Sequence, residues 1–362
     1  MSSQPIRALE PKYYTDPAYF EKERQTLLAS TWQYAGHVSQ IPNSGDYFRL
    51  EIAGESLFCA RGKKGEIRTF YNVCQHRGHE IVTHESGNTR MLVCPYHSWS
   101  YDLDGRLRNG PNLDAVKGLD KGSICLPRVR TEEFCGFIFV NLDSDAKSMD
   151  EVFPGVREEL REFVPHIDEL APLEYVAIEE DCNWKISVEN YSECYHCSAN
   201  HHTFVDGVIK PETYRISHVG YTLQHTTQCQ NLDRMSYPID PESNSRATQY
   251  KSWFLWPGFS FQVYPGNVLN TYHWRPMAVD KVMVYRGWYT IGGEESDVIR
   301  GLAEQDRDTT VAEDVRLVES VQRGLKSRGY QGGPLVVDPA EGVMSEHSIV
   351  AINNWVRETV DA

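Results

Sequence analysis

The chain of 362 residues is 40% hydrophobic, 24% charged and 11% aromatic, which is the composition of a packed globular protein of about two domains and not of a disordered or fibrous one. Its 36 lysines and arginines stand against 51 acidic residues, a formal net charge of -15, and a surface of that sign repels a phosphate backbone, so nucleic acid is not an expected partner. No apolar run approaches the ~20 residues that span a bilayer, and with no secretory stretch in MSSQPIRALEPKYY and nine cysteines read as thiols or metal ligands, a cytoplasmic protein is expected.

In chain order, Asp16 and Pro17 open a helix whose apolar positions recur through Tyr19, Phe20, Leu27, Leu28 and Trp32. From about Tyr47 the texture changes to short β runs cut by turns: YFRLEIAGESLFCA, GKKGE, IRTFYNVC and later CGFIFVNL. Such spacing predicts a small all-β sandwich or barrel ending near residue 145, with a domain boundary near 150. Helical segments follow (MDEVFPGVREELREFVP), then mixed strands, an aromatic-rich sheet between Trp253 and Tyr289, and a long helical stretch from about Glu294 to Leu325. The expected fold class is α+β.

The strongest pattern is Cys74-Gln75-His76 followed, after seventeen residues, by Cys94-Pro95-Tyr96-His97. Each pair sits where a β run gives way to a loop. Structural zinc fingers place two cysteines on one element and two histidines on another. Here each loop supplies one of each, which suits a Rieske [2Fe–2S] centre, in which two cysteines hold one iron and two histidines the other.

Residues 182–204 contain Glu189-x3-Glu193-x2-His196-x4-His201. On a continuous helix Glu189, Glu193 and Cys197 would share a face. His196 and His201 would diverge by ~140°, so the helix must end or distort between them for both to reach one metal. Ferrous sites that activate oxygen use two histidines and one carboxylate. The carboxylate candidate is Asp314, inside an apolar stripe of Val311, Val318, Val321 and Leu325, where an unpaired acid is costly to bury. Glu313 and Asp308 are its rivals, and His202 rivals His201. Cys194-x-x-Cys197 reads as a redox pair or half a zinc site, but no second Cys-x-x-Cys and no thioredoxin-like context accompany it.

On these residues the chain resembles a family. Residues 41–155 look like the Rieske domain of a Rieske non-heme iron oxygenase, and the whole chain is similar to the alpha subunit of the ring-hydroxylating type. The resemblance implies a catalytic domain of residues 1–40 and 156–362 built on a central antiparallel sheet of helix-grip, START-like form. It implies a [2Fe–2S] cluster on Cys74, His76, Cys94 and His97, and a mononuclear Fe(II) on His196, His201 and Asp314. It also implies that Glu193 bridges His196 to a cluster histidine of a neighbouring subunit in a homotrimer, since the two centres of one chain are too far apart in that family. Many relatives have Asp where this chain has Glu193, so the bridging geometry differs in reach. ENYSECYHC, EDVRLVESVQRGLKSRGY and SEHSI look closest to the branch acting on quaternary ammonium compounds, which includes carnitine monooxygenase and betaine demethylases.

The aromatic residues between Trp253 and Tyr289 fit that branch, because aromatic faces attract trimethylammonium groups by about 0.5–2 kcal/mol each. Alternate ones must be ordinary sheet residues, and an aromatic acid would want the same lining, so a ring-hydroxylating dioxygenase is the alternative. No G-x-G-x-x-G fingerprint appears; electrons are expected from a separate flavin- or ferredoxin-type reductase. An O2-dependent oxygenase that hydroxylates a C–H bond, with C–N cleavage or N-demethylation, is the expected function. A bare electron carrier and a zinc-stabilised binding module are the other classes, and metal content separates the three.

Overall fold

The computed structural model describes residues 4–361; residues 1–3 and Ala362 lie outside the described residues. The chain forms two compact units, Leu28–Met149 and Met1–Leu27 with Asp150–Ala362. Both are built on antiparallel sheets, the second with helices against its sheet, so the α+β class holds. Among the described residues no helix is long and apolar enough to cross a membrane.

In the smaller unit a seven-stranded sheet runs in the order Gln33–His37, Phe137–Asn141, Arg128–Phe134, Ile67–Tyr71, Glu55–Arg61, Asp46–Ile52, Ser86–Asn88. The apolar run SLFCA explains its centre. Successive side chains point to opposite faces of a strand. Leu57 and Cys59 therefore pack with Ile41, Val129 and Ile138, while Phe58 and Ala60 pack with Phe70, Leu92 and Tyr101. The second cluster continues into a small sheet of Leu92–Val93, Ser100–Tyr101 and Leu107–Asn109. Gln33–His37 pairs with Phe137–Asn141 at the sheet edge, so the unit begins ahead of residue 41.

The expected helix from Asp16 to Trp32 is shorter. Asp16 accepts from the Ala18 N–H at 2.8 Å and Pro17 opens the helix, but it ends at Gln25, and Trp32 lies beyond the short helical turn Leu27–Ser30. In the larger unit the sheet order is Leu170–Glu180, Lys281–Ile291, Val268–Ala278, Phe259–Tyr264, Gln249–Leu255, Thr222–Gln228, Arg215–Val219. The alternation expected of its aromatics is visible. Trp253 turns toward the helix Val156–Phe163, donating to Glu159 at 2.7 Å and packing on Phe163. Tyr250, Tyr264 and Tyr272 turn the other way and line a cavity.

The helical stretch expected from Glu294 is present as two helices, Asp297–Asp306 and Ala312–Leu325, joined by a π-helical turn over Arg307–Val311. An α-helix would place Asp306 and Asp314 ~80° apart, and the extra residue of a π turn rotates them back toward one side. The buried stripe also differs from expectation: Val321 is exposed, and Gln322 is buried in its place. Gln322 accepts from the Asn183 N–H at 2.8 Å, so a polar side chain is accommodated inside.

Candidate metal centres

The two cysteine–histidine loops of the smaller unit share one backbone design. The Cys74 N–H donates to the His79 carbonyl at 2.8 Å and the Gly78 N–H returns to the Cys74 carbonyl at 3.0 Å. In the second loop the Cys94 N–H donates to Trp99 and the Ser98 N–H to Cys94, both at 2.9 Å. The residue four after each cysteine adopts a left-handed conformation, Gly78 at φ 74° and Ser98 at φ 60°. Glycine does this without strain, whereas serine holds it at a cost. Both loops thus turn sharply and return their histidines toward the same point.

Cys74 and Cys94 are 2% and 1% exposed, and the Tyr101 hydroxyl lies 3.3 Å from the Cys74 sulfur. The His76 and His97 rings have centroids 4.6 Å apart, with His76 stacked on Trp99 at 4.6 Å and 8°. His97 Nδ1 is shielded from solvent and meets no hydrogen-bond partner. Two buried sulfurs beneath two converging imidazoles, one nitrogen lacking any partner, fit an iron–sulfur cluster with mixed ligands.

In the larger unit the helix Trp184–Tyr191 starts at Asn183, whose side chain accepts from the Lys185 N–H, and ends before Glu193. Glu189, Glu193 and Cys197 therefore do not share one helical face. Glu189 accepts from the Tyr14 hydroxyl at 2.7 Å instead. After a single turn, Cys197–Asn200, the chain breaks at His201 (φ −110°, ψ 61°) before the helix His202–Gly207. That break is the distortion the five-residue spacing demands. His196 Nε2 and His201 Nε2 come to 3.0 Å of one another, and Asp314 Oδ1 lies 3.5 Å from the first and 3.0 Å from the second. These three are the candidate metal-holding group among the described residues.

The rivals separate cleanly. Asp308 pairs with Arg307 at the surface. His202 is exposed and outside the cluster. Glu313 hydrogen-bonds the far nitrogen of His201, Nδ1, at 2.8 Å. Glu193 holds His196 Nδ1 in the same way and also accepts from the N–H of Tyr195 and of His196. Carboxylates on both Nδ1 atoms fix the tautomer that leaves each Nε2 lone pair facing inward. Two lone pairs 3.0 Å apart beside a carboxylate oxygen ask for a positive charge at their centre, so the donor set fits a divalent metal.

The electrostatics agree. Burial works against a charged His196 ring, but Asp314 and Glu193 outweigh it and push its pKa up to about 10. Burial would raise Asp314, but the two imidazoles and the Asn190 amide beside its carboxylate hold it well below the usual carboxylate range. Asn190 donates to Asp314 Oδ1 at 2.8 Å, a contact with no signal in the sequence. Cys194 and Cys197 are joined by a disulfide, which corrects the expectation of thiols or metal ligands for these two and leaves neither as half of a zinc site. The cavity over the three side chains is lined by Tyr191, Phe204, Tyr214, Tyr250, Tyr264 and Tyr272.

Residues 167–362 match the family described as the ring hydroxylating alpha subunit (catalytic domain), and residues 31–120 match the Rieske [2Fe-2S] domain. The chain is 35% identical over 349 residues to the carnitine monooxygenase oxygenase subunit of Escherichia coli, covering 96% of this chain and 92% of that one. It is 27% identical over 367 residues to the glycine betaine monooxygenase oxygenase subunit of Pseudomonas aeruginosa, covering 90% and 84%. Among solved structures, the quaternary ammonium Rieske monooxygenase CntA in complex with L-carnitine superposes with a TM-score of 0.84 at 31% identity, covering 98% and 96%. Naphthalene 1,2-dioxygenase, at 0.80 and 20% identity, shares the fold.

Proposed function

This chain belongs to the Rieske ring-hydroxylating oxygenase alpha subunits, and we propose that within that family it hydroxylates a C–H bond of a quaternary ammonium compound of the carnitine or betaine kind, with C–N cleavage or N-demethylation. It is the oxygenase component of a system that draws on a separate reductase, and it carries one [2Fe–2S] cluster and one mononuclear iron per chain. When bound, the cluster supplies electrons singly and the ferrous iron activates O2.

We assign Cys74 and Cys94 to one cluster iron and His76 and His97 to the other. Trp99 fixes the plane of His76 by stacking, and Tyr101 offers its hydroxyl to the Cys74 sulfur. His196, His201 and Asp314 hold the ferrous ion through Nε2, Nε2 and a carboxylate oxygen. Glu193 and Glu313 orient the rings by accepting from Nδ1, and Asn190 steadies Asp314. Glu193 is also the relay to a cluster histidine of the neighbouring subunit in a homotrimer. Its contact with His196 Nδ1 supplies one half of that bridge. The cavity's aromatic faces receive the ammonium head by cation–π attraction and exclude water. We assign the protein to the cytoplasm.

The observation that carries this reading is the 3.0 Å approach of two imidazole nitrogens beside Asp314 beneath an aromatic cavity. Iron and acid-labile sulfide analysis of the purified protein tests it: about three irons and two sulfides per chain are expected. Asp314→Ala should keep the cluster's absorption and lose one iron. Full iron retention in that variant removes Asp314 from the site.

A further inference from the structure

One cation inside the substrate region has no part in the chemistry above. Arg286, on the strand Lys281–Ile291, is 1% exposed. It lines a cavity whose wall also includes Tyr191, Tyr272 and Asp314. Its guanidinium lies over the Tyr272 ring with Cζ 3.8 Å from the centroid. Nη1 is ion-paired with Asp306, and beyond that pair none of its three nitrogens meets a hydrogen-bond acceptor. A guanidinium carries five N–H donors, and buried donors are normally satisfied.

The surroundings add to the unmet capacity. Tyr272 lies directly opposite Arg286, and two residues along, Asn270 lies opposite Trp288 and Gln262, so these side chains share the inner face of the sheet. The Asn270 amide is fully buried with both polar atoms unpartnered, and the Gln262 carbonyl oxygen is unpartnered as well. Asp306 pairs with Arg286 from another wall, at the end of the helix Asp297–Asp306, and Glu180 and Asp314 line the same cavity. A carboxylate guest meets the unsatisfied donors of Arg286, and a zwitterion brings that carboxylate without adding net charge.

We propose that Arg286 is the anion subsite of the cavity that adjoins the one over the histidines, sharing Tyr191, Tyr272 and Asp314 with it, and receives the carboxylate of a zwitterionic substrate whose ammonium end faces His196, His201 and Asp314. This rests on the quaternary-ammonium reading and narrows it to substrates that carry a carboxylate, so that choline, which has none, binds more weakly. The guanidinium is pre-positioned by its stack on Tyr272, and Asp306 yields part of its hold on Nη1 when the second carboxylate arrives.

Equilibrium binding to the iron-loaded protein without O2, followed by tryptophan fluorescence, tests the subsite. The probes are γ-butyrobetaine and its primary amide, which keep the same trimethylammonium and chain length. The acid should bind at least about tenfold more tightly, as expected for hydrogen bonds to a charged group. In the double variant Arg286→Met with Asp306→Leu, which removes both buried charges together, that preference should shrink to within about twofold. Equal binding of acid and amide to the unaltered protein overturns the subsite, as does a preference that survives the double variant. If the variant fails to fold, the acid–amide comparison on the unaltered protein decides. Binding of benzoate, with neither quaternary compound bound and with benzoate affinity lost in the double variant, would uphold the anion subsite while refuting the quaternary-ammonium reading.

Discussion

Glu313 is the residue whose removal should weaken iron binding without abolishing it. Its carboxylate accepts from His201 Nδ1 at 2.8 Å, while His201 itself is 2% exposed in its side chain and Glu313 40%. Carboxylates that orient a ligating imidazole are typically worth about 10–100-fold in metal affinity. With 40% of the Glu313 side chain in solvent, screening places it near the lower end. Glu313→Ala should therefore weaken Fe(II) binding about tenfold, or about 1.4 kcal/mol. Glu313→Gln should lose less, because an amide oxygen still accepts from Nδ1–H. The assay is iron content after equilibration against graded chelator, with cluster absorption reporting folded protein. An unchanged affinity in the alanine variant would refute the orienting role. Loss as complete as in Asp314→Ala would make Glu313 itself a ligand.

Three further outcomes follow from the same structure. Lys185 and Glu23 form an ion pair at 2.6 Å with both side chains 0% exposed, and Trp184 also donates to Glu23, so Glu23→Ala should cost about 3–5 kcal/mol in urea unfolding while Glu23→Leu with Lys185→Met recovers most of it; a loss below about 1 kcal/mol in the single variant would contradict a buried charged pair. Burial lowers His225 from 6.5 to about 4, so between those pH values the unfolded chain binds more protons and stability falls with falling pH, by up to about 3 kcal/mol, while it is whole above 6.5. His225→Gln should reduce that slope when urea midpoints are compared at several pH values, the buried rings of His37 and His273 supplying a further part, and an unchanged slope would show that the His225 ring does not contribute. Tyr101→Phe removes the hydroxyl 3.3 Å from the Cys74 sulfur and should lower the cluster's reduction potential in film voltammetry; an unaltered potential would mean that the hydroxyl does not bond the sulfur.

What could be read from the sequence was mostly local. The two cysteine–histidine loops are short, and their turn signals lie within a few residues of the groups they aim. The β texture before residue 145 and the Asp16–Pro17 helix start are likewise contained in neighbouring residues. The helical phase of His196 and His201 required a break, and the chain breaks at His201. The long-range features were less legible. Asp314 faces the histidines, but its stripe is completed by Gln322 and not Val321, because Gln322 bonds to the start of the helix Trp184–Tyr191. The π turn before Ala312 changes the helical phase without an obvious marker among Arg307–Val311. Arg286 and Asp306 meet only through sheet register and helix placement, and an arginine amid strand aromatics carries no sign of burial in its own neighbourhood.

The most direct measurement of the central claim is a single turnover of chemically reduced protein with O2 and a mixed panel, with products identified by mass. The panel holds carnitine, γ-butyrobetaine, glycine betaine, choline and several aromatic acids. Trimethylamine or a demethylated amine from a zwitterion is the predicted result. A cis-diol or phenol, with every amine untouched, would contradict it and assign the aromatic cavity to ring oxidation.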